Sequence, residues 1–455
     1  MELFSDEWAQ ALQTALRSSG SYQQAARGWE GAVVLDWSDA PSRASVIDCG
    51  VYLDLWHGEC RAARVATTAD YANSRYVLSA DMASWLTVLE GRMAPTTAIL
   101  RGKIKLKRGS LGGLMPHVSA ATELVRVAQT VNRGAHEAAA PILNVLVADD
   151  DNRASASSAE RMPLQSTSAV GIRFNLFPMR LWEKAKRLGI WNPADIDFSQ
   201  DRIDWQRLAP DEQDMLLRLT SLFQAGEESV TLEILPLLDV IAREGRLEEQ
   251  LYLTSFLWEE AKHVEAFRRF FDNVAEVTGD LTHYHSASYR QLFNEALPAA
   301  MGRLRTDSSP IAQARASVTY NMIVEGVLAE TGYHVYHRVL VERGIMPGMQ
   351  RVAALLKADE SRHLAYGIFL LSRLVVEHGD PVWNAISSRM DELLPGAIQI
   401  INEAFAAYPI DHRPFNLEPE VFVQFAMTQF QRRFDRIERA RRQSIHDVHA
   451  LEAME

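Results

Sequence analysis

Apolar positions along this chain follow two different rhythms. From about residue 169 onward they recur with helical spacing. Long amphipathic runs cover roughly 211–241, 246–276, 310–343, 347–377, 381–407 and 418–442. Breakers fall between these runs rather than inside them, as at Gly344, Pro347, Gly379 and Pro381. Six long helices with short connections predict a bundle. Residues 1–131 read differently. GAVVLDW (31–37), ASVIDCGVYLDLW (44–56) and CRAARVAT (60–67) are β-branched or alternating, with turn residues between them. GKIKLKRG (102–109) sets Ile104 and Leu106 on one face and lysines on the other. MASWLTVLEG (82–91) and SAATELVRVAQTV (119–131) have helical spacing, so this part predicts a small α+β domain. Residues 132–168 predict a linker, in which ADDDNRASASSAERMPLQSTS is polar, rich in Ser, Ala and Asp, and without a sustained period. The expected domains are therefore 1–131, the linker 132–168, and a helical domain 169–445.

Composition narrows the function classes. With 455 residues the chain has room for two domains. Its net charge of −12 argues against nucleic acid and against an anionic membrane surface as partners. The two cysteines, Cys49 and Cys60, make no disulfide framework and no CxxC pair, and both are expected to be buried thiols in a reducing, cytoplasmic setting. The acidic start MELFSDEWAQALQTAL lacks the apolar core of a signal peptide, and no stretch reaches the roughly 20 apolar residues a membrane span needs.

Four of the predicted helices carry an unusual set of side chains. One holds AGEESVTLEIL, with Glu227, Glu228 and Val230. The next holds WEEAKH, with Glu260 and His263. The third holds TYNMIVEG, with Tyr320 and Glu325, and the fourth ADESRH, with Glu360 and His363. Residues three apart share a helix face, so each Glu-x-x-His presents a carboxylate and an imidazole toward one point. A single such pair is expected about once by chance in a chain of this kind. Here there are two, each preceded by a Glu on the helix before, at intervals of 33 and 35 residues. Four carboxylates and two imidazoles from four helices are the ligand set of di-iron and di-manganese carboxylate proteins. Two divalent cations would balance the four glutamates, and hard oxygen ligands with two imidazoles suit iron or manganese. Spacing alone leaves open which of Glu227 and Glu228 belongs to the set.

At these residues the chain resembles the ligand-binding oxidases related to the small subunit of class I ribonucleotide reductase, of ferritin-like fold. The resemblance covers about 169–445 and is carried by GIWNPADIDFSQDRIDWQRLAPDEQ, GEESV, TYNMIVEG and both Glu-x-x-His motifs. It implies that Glu227, Glu260 and His263 hold one metal and that Glu325, Glu360 and His363 hold the other. It further implies a manganese–iron site (or, alternatively, two irons), dioxygen as oxidant, and a long-chain fatty acid whose carboxylate reaches the metals. A tyrosine–valine ether cross-link is also implied, here between Tyr320 and Val230. Val230 lies three residues after Glu227, on the same helix face, which favours Glu227 over Glu228. Tyr333 matches another tyrosine near the family's site. Where radical-bearing reductase subunits have a tyrosine, four residues after His263, this chain has Phe267, and its tail RRQSIHDVHALEAME lacks the aromatic residues of a radical-transfer tail. Both features speak against reductase activity.

The N-terminal part resembles the sterol carrier protein type-2 family, through YVLSADMASWLTVLEG and APTTAILRGKIKLKRGSLGGLMPHVSAATEL. That resemblance implies an apolar lipid tunnel. His57 and His117 are isolated and expected to be surface or structural. The combined expectation is an oxidoreductase that uses dioxygen for two-electron oxidation, with a lipid ligand, an unspecified electron donor and helix faces available for a homodimer. The competing expectations are another di-iron oxygenase on the same fold, such as an N-oxygenase without the cross-link, and a non-catalytic lipid-binding or redox-sensing protein.

Overall fold

The computed structural model describes residues 3–40, 50–90, 93, 95–100, 102–114, 117–137, 171–277, 279–409 and 412–450. The chain divides into two compact units, Met1–Ala156 and Ser157–Glu455. Cys49 and most of the expected linker lie outside the described residues. The first residues of that expected linker end a helix, Val118–Glu137.

The first unit is built on a five-stranded sheet: β1 (Val33–Trp37), β2 (Gly50–Trp56), β3 (Glu59–Val65), β4 (Tyr76–Ala80) and β5 (Lys105–Arg108), in the order β3-β2-β1-β4-β5. All neighbours are antiparallel except β1 and β4. The β2–β3 hairpin turns on His57 and Gly58, both at positive φ (47° and 86°), the backbone sense that matches the twist of two flanking strands. Glycine is required at 58, because a Cβ there would lie 2.3 Å from the Gln23 carbonyl oxygen. Helix Asp6–Ser18, capped by the Ser5 hydroxyl, covers the sheet with Trp8, Leu12 and Leu16, one face of successive turns. Strand β4 is absent from the sequence reading. It sits inside the sheet and is nearly all buried, so it lacks the polar alternation that reveals half-exposed strands.

The second unit is helical throughout its described residues, with no strand. Helices Pro210–Glu233, Leu247–Phe270, Pro347–His378, Asp380–Ala406 and Pro419–Arg439 correspond to predicted runs. Two predicted helices are interrupted within their length, and a third, the run 246–276, passes at its end into a π-helical turn, Phe271–Ala275. The run 211–241 breaks at Ile234, and Leu235–Arg243 starts afresh, because Pro236 has no N–H to donate and fits only the first turn of a helix. The run 310–343 starts as Pro310–Ser317, widens into a π-helical segment Val318–Ala329, continues as Glu330–Tyr336, and ends in a second π-helical segment, His337–Val341. The wide first segment is buried from Val318 to Val327. The Gly326 carbonyl accepts a hydrogen bond from Arg433 Nη1 at 2.5 Å, so this buried carbonyl is satisfied from another helix. Among the described residues no helix is long and apolar enough to cross a membrane.

Candidate metal centre

Six side chains from four helical segments meet inside the second unit. Glu227 comes from Pro210–Glu233, Glu260 and His263 from Leu247–Phe270, Glu325 from the π-helical segment Val318–Ala329, and Glu360 and His363 from Pro347–His378. All six are buried. Glu228 is exposed and accepts from Gln224. Ligand-capable atoms fall into two groups, in each of which they lie within 4.8 Å of one another: Glu227, Glu260, His263 and Glu360 in one, Glu260, Glu325, Glu360 and His363 in the other. His263 Nδ1 is 3.4 Å from Glu227, 3.5 Å from Glu260 and 3.4 Å from Glu360. His363 Nδ1 is 3.2 Å from Glu260, 3.9 Å from Glu325 and 3.4 Å from Glu360. Glu260 and Glu360 therefore reach both groups, whereas the family resemblance implied one metal for each.

The chemistry of this donor set fits cations. Glu260 Oε2, His263 Nδ1, Glu325 Oε1, Glu360 Oε2 and His363 Nδ1 are buried and have no hydrogen-bond partner. One such atom costs roughly 1–3 kcal/mol, so five at one point need a common partner. Burial pushes the Glu227 carboxyl up to about 8, against the pull of His263. Burial opposes charge on both imidazoles, yet the surrounding carboxylates outweigh it and hold both well above the usual histidine range. Without metal, protons do the neutralising that cations would otherwise do.

An outer layer, not read from the sequence, fixes the imidazoles. His263 Nε2 lies 3.3 Å from Asp359 Oδ2, and His363 Nε2 lies 2.9 Å from Glu259 Oε2. Each imidazole is held by the acid that precedes the metal-facing glutamate of the opposite helix. Arg362 donates to Glu259 at 2.6 Å and to Asp359 at 2.5 Å, and Lys262 lies 3.3 Å from Asp359. Trp191 Nε1 also donates to Asp359 at 2.9 Å. The two outer acids and two outer cations cancel, so the four inner carboxylates keep their full charge for metal. Gly189 leaves room for this layer, since a Cβ there would lie 2.1 Å from Glu259 Oε1. The signal was present in the sequence: both motifs read acid-Glu-x-base-His, Glu259 to His263 and Asp359 to His363. Asn321 completes the support by donating to Glu325 Oε2 at 3.0 Å, and Ser317 donates to Asn321.

Tyr320 Oη lies 3.3 Å from Glu260 Oε1 and 3.4 Å from the Val230 carbonyl oxygen, and both residues are buried. Burial holds the Tyr320 phenol well above its ordinary pKa, so it keeps its proton. Tyr333 Oη is 3.5 Å from Glu227. Phe267 stacks on Phe223, ring centroids 5.0 Å apart. A cavity runs from the cluster into the helices. Its wall includes Glu227, Val230, Glu260, Glu325 and Glu360 at one end and Leu219, Leu222, Phe293, Ile401 and Phe405 elsewhere. The first unit holds a separate cavity between its sheet and helices, walled by Trp8, Trp29, Leu35, Trp85, Ile104 and Leu124, with Tyr22 as its lone phenol. His57 sits at the surface beside Glu30, and His117 packs edge-on against Trp29.

A helical bundle whose core gathers four carboxylates and two imidazoles defines a ferritin-like protein able to hold a dinuclear metal site. The family model "Ribonucleotide reductase, small chain" matches residues 173–438, and the chain belongs to that family. The model of the SCP-2 sterol transfer family matches residues 10–115. Among solved structures, the R2-like ligand-binding oxidase from Sulfolobus acidocaldarius is 40% identical, with a TM-score of 0.57, over 62% of this chain and 97% of its own. Two mutants of an R2-like ligand-binding oxidase with anaerobically reconstituted Mn/Fe cofactor are 41% and 40% identical, each with a TM-score of 0.55 over 58% of this chain and 95% of theirs.

Proposed function

We propose that this protein is a dinuclear manganese–iron oxidase that takes a long-chain fatty acid into the bundle cavity and forms an ether between Tyr320 and Val230. The observation that carries the reading is the pair of four-residue groups sharing Glu260 and Glu360. Glu260 and Glu360 would help hold both metals, with Glu227 and His263 completing one set and Glu325 and His363 the other. Mn/Fe-reconstituted structural relatives support that metal pair over two irons, although intrinsic affinity favours iron. When bound, the pair supplies the means to reduce dioxygen by two electrons.

The protein's own residues do the rest. Asp359 and Glu259 hold the imidazoles in one orientation. The apolar wall from Leu219 to Phe405 excludes water and accepts an acyl chain, while the charged end receives a carboxylate. Tyr320 Oη stands next to the Val230 backbone and keeps its proton until oxidation. Forming the ether removes one hydrogen from the Tyr320 oxygen and one from Val230 Cβ. Two electrons and two protons pass to dioxygen. The proximity of Tyr320 and Val230 favours this reading over an N-oxygenase without the cross-link. Phe267, packed on Phe223, offers no phenol for a radical and supports an oxidase rather than a reductase.

Anomalous diffraction at the iron and manganese edges, on protein metallated in air, tests the centre. One metal of each kind in the cluster is expected; an empty cluster, or zinc alone, would overturn the reading. Peptide mass spectrometry of the same sample should show the Tyr320 and Val230 peptides joined with the loss of two hydrogens.

A further inference from the structure

The π-helical segment Val318–Ala329 carries Tyr320, Asn321 and Glu325, and its Val324, Leu328 and Ala329 also form cavity wall. At its far end the wide winding gives way to the regular helix Glu330–Tyr336. There the Glu330 N–H donates five residues back, to the Glu325 carbonyl, and three back, to that of Val327. It passes over Gly326, the acceptor four back that a regular turn would use. Arg433, buried on helix Pro419–Arg439, makes up that bond: its Nη1 donates to the Gly326 oxygen at 2.5 Å. Its Nη2 donates to the Glu330 carboxylate. One planar fork thus ties Gly326, in the wide winding, to Glu330, the first residue of the regular one. A Cβ at Gly326 would lie 3.2 Å from Arg433 Nη1 and 3.0 Å from the Asn321 carbonyl oxygen, so glycine permits the close approach. Next to it, the Val327 carbonyl takes the Thr331 hydroxyl at 2.6 Å. Glu325 directly precedes the residue that Arg433 holds. The group Glu260, Glu325, Glu360 and His363 therefore draws on this segment, whereas the group Glu227, Glu260, His263 and Glu360 takes nothing from it.

We infer that Arg433 is a positioning residue for one half of the metal centre: it fixes the junction between the two windings and so holds Glu325 facing Glu260, Glu360 and His363. The inference rests on the dinuclear reading above. It adds that the two cation positions depend unequally on a side chain that belongs to neither group. Without Arg433 the buried Gly326 carbonyl loses a charge-assisted bond, and the Glu330 N–H four residues on is the donor that regular winding would give it. Taking that donor tightens the wide stretch. Each residue of a regular helix turns the next by about 100°, so even a small rewinding carries the Glu325 carboxylate out of its group.

The test is metal filling by position, from anomalous diffraction on metallated full-length Arg433→Met, with affinities from calorimetry. Affinity at the Glu325–His363 position is expected to fall about 10- to 100-fold, the range for support one layer removed from a metal, while the Glu227–His263 position stays filled. Arg433→Lys, which can reach one acceptor but not hold both, should recover part of the loss. Amide hydrogen exchange across 318–329 should be faster in metal-free Arg433→Met than in the metal-free wild type, a readout of the junction without metal or turnover. Wild-type filling of both positions in Arg433→Met, unchanged exchange, or a parallel loss from both positions would each overturn the inference. If Arg433→Met does not fold, Glu330→Gln decides: a smaller loss confined to the Glu325–His363 position is expected, and undiminished affinity at both positions would overturn the inference. An empty cluster in the wild-type protein would instead overturn the dinuclear reading, and this inference with it.

Discussion

The two units of this chain each enclose a cavity, and the two cavities differ in kind. The one in Met1–Ala156 is walled almost entirely by aromatic and aliphatic side chains, and the Tyr22 hydroxyl is its unpartnered polar group. The one in Ser157–Glu455 also has apolar walls but is lined as well by four buried glutamates, Glu227, Glu260, Glu325 and Glu360. Enclosure alone therefore makes a container. Chemistry begins where a protein buries charge that its own cations do not cancel, as the inner glutamates show against the balanced outer layer of Glu259, Asp359, Lys262 and Arg362.

Removing a shared carboxylate should erase that contrast most completely. Glu360→Ala is expected to drop metal content from two ions per chain to near none by elemental analysis, with helical circular dichroism retained. Two tightly held ions in that variant would show that Glu360 is not shared. Tyr320→Phe should keep both metals and lose the joined Tyr320–Val230 peptide; an unchanged cross-link would place the chemistry elsewhere. Glu259→Gln acts one layer out. It should weaken metal binding about 10- to 100-fold, felt first at the group containing His363, because its imidazole loses a charged acceptor.

Acidity sharpens the comparison from the other side. In the metal-free protein Glu227 is raised from 4.5 to about 8, and both metal-facing imidazoles are raised too. The folded chain then holds protons that the unfolded chain releases, so stability should fall as pH rises from about 5 to 8. Glu260 and Asp359, held low by the same imidazoles, would reverse that slope only below their ordinary range. Melting curves at several pH values, with and without metal, should show the decline in the metal-free protein and its suppression when cations replace the protons. The smallest effect belongs to the other cavity. Tyr22→Phe removes a buried hydroxyl without a partner and should raise the melting temperature slightly, by about 1 kcal/mol of stability or less.

What was legible from sequence followed the physics of local spacing. Two Glu-x-x-His pairs on amphipathic runs announced a cluster because residues three apart share a face, a relation fixed within one helix. The sharing of Glu260 and Glu360, and the crossed support of His263 by Asp359 and of His363 by Glu259, depend on how two helices face each other, which no spacing encodes. Strand β4 escaped because burial on both faces erases alternation. The break at Ile234 was written in Pro236, which the long apolar run around it masked. The widened turn of Val318–Ala329 left no mark, since its residues are as apolar as those of any buried α-helix.

That widened turn also bears on how related sequences should be compared. A π-helical stretch behaves as surplus chain absorbed without a loop, and each residue of an α-helix turns the next by about 100°. Losing one residue between Val318 and Ala329 would carry Glu325 and Tyr320 to new azimuths while leaving every side chain around them intact. A gap aligned to this stretch in a relative therefore signals altered reactivity, even where each ligand is kept.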